Sequence, residues 1–177
     1  MKKIIAFAGS NSSTSINYQL VKYTANLLED ADVQILNMAE MPFPIYSEDT
    51  EKKDGFKNSL VELHNDIQEA DGLIIGVNEH NGSISAYFKN LIDWLSRFNR
   101  NFLVGKKVFV LSTSTGKFGG SKAVEAVKLT LPFFGAEIYT TFSLPLYMEN
   151  FSSGEGILNE ELKVSHGGKL QDFAKAL

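Results

Sequence analysis

Short apolar runs alternate along the chain with segments that repeat at helical period. "KIIAFAG" (3–9) is continuous and apolar, which predicts a first strand. Over 15–30, Ile16, Leu20, Tyr23, Leu27 and Leu28 share one face, which predicts a helix. A second strand is predicted at 32–38, where alternation is partial. A loop bearing proline and charge follows at 42–55. Leu60, Leu63 and Ile67 place a helix over 56–70, and "GLIIGV" (72–77) is too short and too apolar for anything but a buried strand. Ile84, Phe88, Leu91, Leu95 and Phe98 form the seam of a strong helix over 83–98. A strand at 106–114 and a helix at 121–135, ended by Pro132 and Gly135, come next. A fifth strand at 137–146, a polar loop and a last helix over 167–176 complete the pattern.

Continuously apolar strands alternating with helices predict a parallel sheet covered on both faces. Five strands joined by right-handed crossovers suit the doubly wound order 2-1-3-4-5, a three-layer α/β sandwich. No linker, repeat or low-complexity block divides the chain, so 1–177 is expected to form one domain. In such a fold, ligands sit beyond the carboxyl ends of the strands, at the switch point between the first and third. The loops after strands one, three and four therefore belong together.

Composition narrows the chemistry. The net charge of −4 gives no reason to expect nucleic acid or an anionic membrane as a partner. Cysteine is absent, which excludes disulfides, thiolate nucleophiles and cysteine-ligated metal. His64, His80 and His166 lie far apart, so a protein metal site is not expected, and His64 and His166 are read as surface residues. The start "MKKIIAFAGS" reads as a first strand rather than a signal peptide, and no run approaches membrane-spanning length. The expectation is a cytoplasmic protein.

The first loop, "GSNSSTSIN" (9–17), holds five hydroxyl side chains and two asparagines and leads into a helix. Free backbone N–H groups, hydroxyls and a helix N-terminus make a phosphate site, although an ordinary cap needs only one hydroxyl. It contains no lysine and no GxGxxG, so neither a P-loop nor a dinucleotide fingerprint is present. The second, "NEHNGS" (78–83), puts Glu79, His80, Asn81 and Gly82 at the predicted crevice. Such a loop suits the edge of a flat heterocycle; a polar turn, with Ser83 capping the helix, also explains part of it. The third, "STSTGKFGG" (112–120), has three glycines in five residues and one cation, Lys117. It either lets backbone approach a ligand closely or is a flexible turn.

Taken together, these residues resemble the flavodoxin-like, NADPH-dependent FMN reductases, a family that includes quinone, azo-dye and chromate reductases. Gly9, Ser10, Ser15 and Asn17 match a first loop that commonly reads G-S-x-R-x-x-S-x-N, with Ser12 where arginine is usual. Glu79, Asn81, Gly82, Ser83, Ile84, Lys89, Asn90, Ile92, Asp93 and Trp94 match P-E-Y-N-G-S-I-P-G-x-L-K-N-x-I-D-W. Asn78 stands for its proline and His80 for its tyrosine. "STGKFGG" is similar to S-x-G-x-x-G-G, and "PFPIYSED" to the loop after the second strand.

The resemblance implies an FMN-dependent oxidoreductase that takes hydride from NADPH or NADH and reduces a small-molecule acceptor such as free flavin, quinone or azo compound. No side-chain acid or base is required, so no catalytic residue is named. Ser10, Ser12, Ser15, Ile16 and Asn17 would hold the phosphate. Glu79, His80, Asn81 and Gly82 would meet the isoalloxazine, and Ser114, Gly116 and Lys117 would close its far side. The family also implies a homodimer or homotetramer, and the apolar arc of the helix at 83–98, with Tyr87 and Trp94 at its edge, is expected to lend part of its face to another subunit. Trp94 itself is expected to pack and Asp93 to be a solvated or interface charge. The competing readings are a flavodoxin-type electron carrier and a phosphate-binding module. A receiver domain needs an acidic cluster where Gly9 and Ser10 stand.

Overall fold

The structure, a computed structural model, describes residues 1–177. Five parallel strands form the central sheet: β1 (Lys2–Ala8), β2 (Ala31–Leu36), β3 (Gly72–Gly76), and two more separated from β3 by a short hairpin of β4 (Glu79–His80) and β5 (Ser83–Ile84). Those two are β6 (Lys107–Thr113) and β7 (Glu137–Leu144), and the order across the sheet is β2-β1-β3-β6-β7. Counting only the long strands, this is the expected order 2-1-3-4-5. A second hairpin, β8 (Phe151–Ser152) with β9 (Gly156–Ile157), lies outside the sheet.

Helices α1 (Ile16–Asn26) and α7 (Glu160–Ala176) cover one face of the sheet. Helices α3 (Asn58–Glu69), α4 (Ala86–Phe98) and α5 (Ser121–Thr130) cover the other. Two short helices, α2 (Glu48–Asp54) and α6 (Tyr147–Asn150), sit in connections. The central strands are buried on both faces, so alternation within them separates two cores rather than core from solvent. Ile5, Phe7, Leu73, Ile75, Val108 and Val110 face α3, α4 and α5; Ile4, Ala6, Ile74, Phe109 and Leu111 face α1 and α7.

Several boundaries differ from the pattern. The segment 42–55 is not all loop: it contains α2, which buries nothing and so leaves no apolar period to read. Its signals are local: the Ser47 hydroxyl accepts the Thr50 N–H at 3.1 Å, acids fill the first turn, and Gly55 ends it at φ 65°. The last helix begins at Glu160, not 167. Asn159 caps it, and packing of His166, Leu170 and Phe173 carries it through Gly167 and Gly168 despite their poor helix propensity. The first helix ends at Asn26, and Leu27 is left 47 % exposed. The helix expected from 83 starts at Ala86, because 83 and 84 belong to the hairpin, and Ser85 rather than Ser83 caps it.

Neither histidine placed at the surface is there. His64 packs edge-on to Phe98 at 4.9 Å and sits 3.0 Å from the Asn99 amide. His166 is fully buried among Tyr23, Phe109 and Phe142. Residues read mainly as polar can complete a core when an aromatic wall and one hydrogen bond are available.

Asp93 pairs with Lys89 one turn earlier on the exposed side of α4. The apolar edge of α4 is covered by the chain's own segment 38–57, which corrects the expectation that it faces another subunit. The Tyr87 hydroxyl donates to the carbonyls of Met38 and Met41 at 3.2 and 2.7 Å, and burial raises its pKa. The Trp94 indole donates to Pro44 O at 2.8 Å, and its ring meets Tyr46 and Phe56 edge-on. Apolar side chains left bare include Leu129 and Phe133 near the end of α5, each 74 % exposed, with Ile45 and Met148 equally exposed elsewhere.

Candidate functional site

The three polar loops meet at the carboxyl end of the sheet, and three side chains lace them pairwise. Ser85, the cap of α4, donates its hydroxyl to Gly9 O at 2.7 Å, tying the second loop to the first. The Asn17 amide is buried in α1. It accepts the Thr113 N–H at 2.8 Å and donates to Thr113 O at 3.1 Å, tying the first loop to the third. Glu79 Oε2 accepts the Lys122 N–H at 3.0 Å, tying the second loop to the helix that follows the third. Ser112 adds a fourth link, donating to Val77 O at 2.7 Å.

In the first loop, hydroxyls fold the backbone as well as furnish donors. Ser10 Oγ accepts the Ser12 N–H and Ser12 Oγ the Thr14 N–H, each at 3.3 Å. Ser15 Oγ caps α1 through the Tyr18 N–H. The N–H groups of Asn11, Ser13, Ile16 and Asn17 make no hydrogen bond within the protein. Ser12, Ser13 and Thr14 are exposed, and the first turn of α1 carries no acid. Unpaired N–H groups at a helix N-terminus, with hydroxyls beside them and no carboxylate, are what a phosphate dianion requires.

The second loop is the β4–β5 hairpin. Asn81 (φ 52°) and Gly82 (φ 76°) both lie in the left-handed region at its two-residue turn. Asn-Gly is the strongest short-range hairpin signal, and it went unread because the helical seam was extended over Ser83 and Ile84. The Asn81 side chain is exposed. Two hollows meet at His80. One of about 270 Å³ is bordered by Asn11, Phe43, Ile45, Ser85 and Tyr87. The other, about 520 Å³, is bordered by Asn81, Ser83, Lys89, Ala126 and Thr130. A hollow of similar size, about 540 Å³, lies between α1 and α7 at the opposite end of the sheet and shares none of these loops.

The third loop is folded by Ser114, whose hydroxyl accepts the Gly116 N–H at 3.3 Å. Gly116 O and Ser114 O accept the N–H groups of Leu146 and Tyr147, both at 3.0 Å, so the segment after β7 backs this loop. Lys117 lies over the exposed ring of Phe118 at 5.0 Å.

All twelve residues read as candidates therefore come to one end of the sheet, with unequal freedom to touch a ligand. Ser12, His80, Asn81, Gly82, Gly116 and Lys117 are exposed, whereas both amide atoms of Asn17 and one carboxylate oxygen of Glu79 are committed to the protein's own backbone. Ser85, Thr113 and Lys122 were missed, since nothing in local sequence marks a bond spanning the fold. Asn78 was noted only as a departure from proline. Its Oδ1 is buried without a hydrogen-bond partner, and its Nδ2 lies 3.2 Å from His80 Nε2. An acceptor buried without a donor costs stability unless a ligand supplies one. The donor set of the first loop fits a molecule that carries a phosphate, as FMN does.

Residues 2–147 match the family described as NADPH-dependent FMN reductase. The chain belongs to this family. It is an oxidoreductase with FMN and NAD(P)H as cofactors. Among relatives, a quinone reductase of Escherichia coli (strain K12) is 29 % identical over 137 residues, which span 77 % of this chain and 72 % of that one. An NAD(P)H-dependent FMN reductase of Pseudomonas aeruginosa is 29 % identical over 132 residues, 74 % and 70 % of the two chains. In structure, the flavoenzyme NAD(P)H:(acceptor) oxidoreductase FerB from Paracoccus denitrificans superposes with a TM-score of 0.80 at 24 % identity, over 99 % of this chain and 96 % of that one. Flavodoxin 1 from Bacillus cereus shares the fold, with a TM-score of 0.62 at 16 % identity over 100 % and 99 %. No helix is long and apolar enough to cross a membrane.

Proposed function

We propose that this chain binds one FMN at the laced loops and turns over NAD(P)H against a small-molecule acceptor such as a free flavin, a quinone or an azo compound. The observation that carries the reading is the first loop: four unpaired backbone N–H groups and three exposed hydroxyls around a helix N-terminus without a carboxylate. Bound FMN supplies two-electron chemistry between a reduced nicotinamide and an acceptor. The chain's part is to bind, orient and exclude water. Backbone N–H groups of Asn11, Ser13, Ile16 and Asn17, with the Ser12 hydroxyl, hold the phosphate. Asn78 Oδ1 offers an acceptor to a ring N–H. The hairpin at His80 and Asn81 and the loop at Ser114, Gly116 and Lys117 border the ring.

This reading requires no side-chain acid or base. A cytoplasmic location and action on small molecules belong to the same reading. The bare Leu129 and Phe133 of the α5 region support a homodimer or larger homo-oligomer, which sedimentation would measure.

The decisive experiment is an absorbance spectrum of the purified protein, followed by anaerobic titration with NADPH and with NADH. Bleaching of the flavin bands within a turnover supports the reductase. A yellow protein that neither nucleotide bleaches is an electron carrier, and release of FAD instead of FMN would overturn the phosphate assignment.

A further inference from the structure

Helix α5 begins without a capping side chain. Its N-cap is Gly120, at φ 77°, where any Cβ would collide with the Ser112 hydroxyl, so no Ser, Asp or Asn can take the position. A first-turn N–H of the helix, that of Lys122, is met instead by the carboxylate of Glu79, 43 residues upstream in β4. A carboxylate there satisfies an N–H that the helix cannot and faces the positive end of its dipole. The contact continues at the hairpin tip, where the Lys122 chain lies over Gly82, its Cδ 3.5 Å from where a Cβ would stand. Because Glu79 pairs with Ile84 across the hairpin, holding Glu79 also holds His80 and Asn81. Residues 114–120 run directly into α5.

We propose that Glu79 is a positioning residue: its carboxylate caps α5 and fixes the two ring-facing loops, 78–83 and 114–120, against one another before a flavin arrives. Loops that are already ordered lose less freedom on binding, so the bond acts on ring affinity without touching the ring. The phosphate loop has ties of its own, Ser85 to Gly9 and Asn17 to Thr113, which the loss of the Glu79 carboxylate leaves in place. The effects of Glu79 on ring and phosphate therefore separate. This inference rests on the reading that FMN occupies the loops.

The test compares E79A and E79Q with the parent. Amide exchange is followed at Lys122 and over the hairpin in flavin-free protein. FMN and riboflavin affinities are measured by fluorescence quenching, and inorganic phosphate by competition. E79A is expected to speed exchange at both places and to weaken FMN and riboflavin by the same factor, about tenfold, the scale of one lost hydrogen bond to a charged group. Its phosphate constant stays at the parental value. E79Q, whose amide oxygen still accepts but carries no charge, is expected to fall between the parent and E79A in both exchange and affinity. E79D, with an arm too short to span the same gap, replaces E79A if the latter does not fold. Parental exchange and affinities in E79A overturn the proposal. So does an E79Q that loses flavin affinity while exchange at Lys122 and over the hairpin stays parental, which would mean that the charge acts on the flavin itself. A parent that takes up no flavin refutes the FMN reading instead, while exchange at Lys122 still decides whether Glu79 ties the hairpin to α5.

Discussion

His166 is expected to make this protein sensitive to mild acid. The ring sits in an aromatic nest of Tyr23, Phe109 and Phe142 and makes one hydrogen bond, Nε2 to Thr24 Oγ1 at 2.8 Å. The Thr24 hydroxyl donates to Leu20 O, so it accepts from His166, which fixes the proton on Nε2 and leaves Nδ1 without a partner. Burial disfavours the charged ring and pushes its pKa from 6.5 down to about 4. The unfolded chain takes up a proton near pH 6.5 while the folded chain resists until about pH 4. Stability present above pH 6.5 is therefore lost as the pH falls through that window. Two and a half pKa units correspond to roughly 3 kcal/mol, a large share of the ~5 to 15 kcal/mol that domains possess.

His166→Phe removes the titration while keeping a flat ring in an aromatic site. Urea unfolding of parent and variant at pH 7.5 and at pH 4.5 gives the effect as a difference, in which the titrations shared by both proteins cancel. Relative to the parent, the variant should gain roughly 2 to 3 kcal/mol between the two pH values. An unchanged difference would show that the folded ring takes up its proton near the ordinary pH, and the account of its burial would be wrong.

Three further outcomes follow from the site. Asn81→Ala should cost about 1 kcal/mol because alanine resists the left-handed turn, whereas Asn81→Gly should fold like the parent; an FMN affinity lost in the glycine variant too would assign the amide a direct contact. Ser85→Ala should cost about 1 kcal/mol or more in thermal unfolding, since it removes the α4 cap and the bond to Gly9, while Ser83→Ala should stay within about 0.5 kcal/mol; equal effects would move the cap. Ser12→Arg, at an exposed position in the same loop as the unpaired N–H groups, should tighten FMN binding by about 1.5 to 3 kcal/mol in a fluorescence titration, and weaker binding would show that the phosphate lies elsewhere.

The sequence by itself determined the layered architecture. Apolar runs too short for helices, separated by helical periods, admit few arrangements other than a covered parallel sheet, and right-handed crossovers narrow the strand orders to a few, of which 2-1-3-4-5 is the common five-stranded one. It also gathered the polar loops at one end, because strand direction decides where the loops emerge. What it lacked was any signal for bonds between elements distant in the chain. Nothing local says that the Asn17 amide reaches Thr113, that Ser85 rather than Ser83 caps α4, or that Glu79 caps a helix 43 residues away. Likewise, α2 and the start of α7 rest on caps and packing rather than period. His64 and His166 were misplaced because burial depends on which neighbours can supply a wall and a single partner. Period and propensity act along the chain, whereas satisfying a buried donor or acceptor depends on distance in space, which only the folded arrangement of α1, the hairpin and α5 fixes.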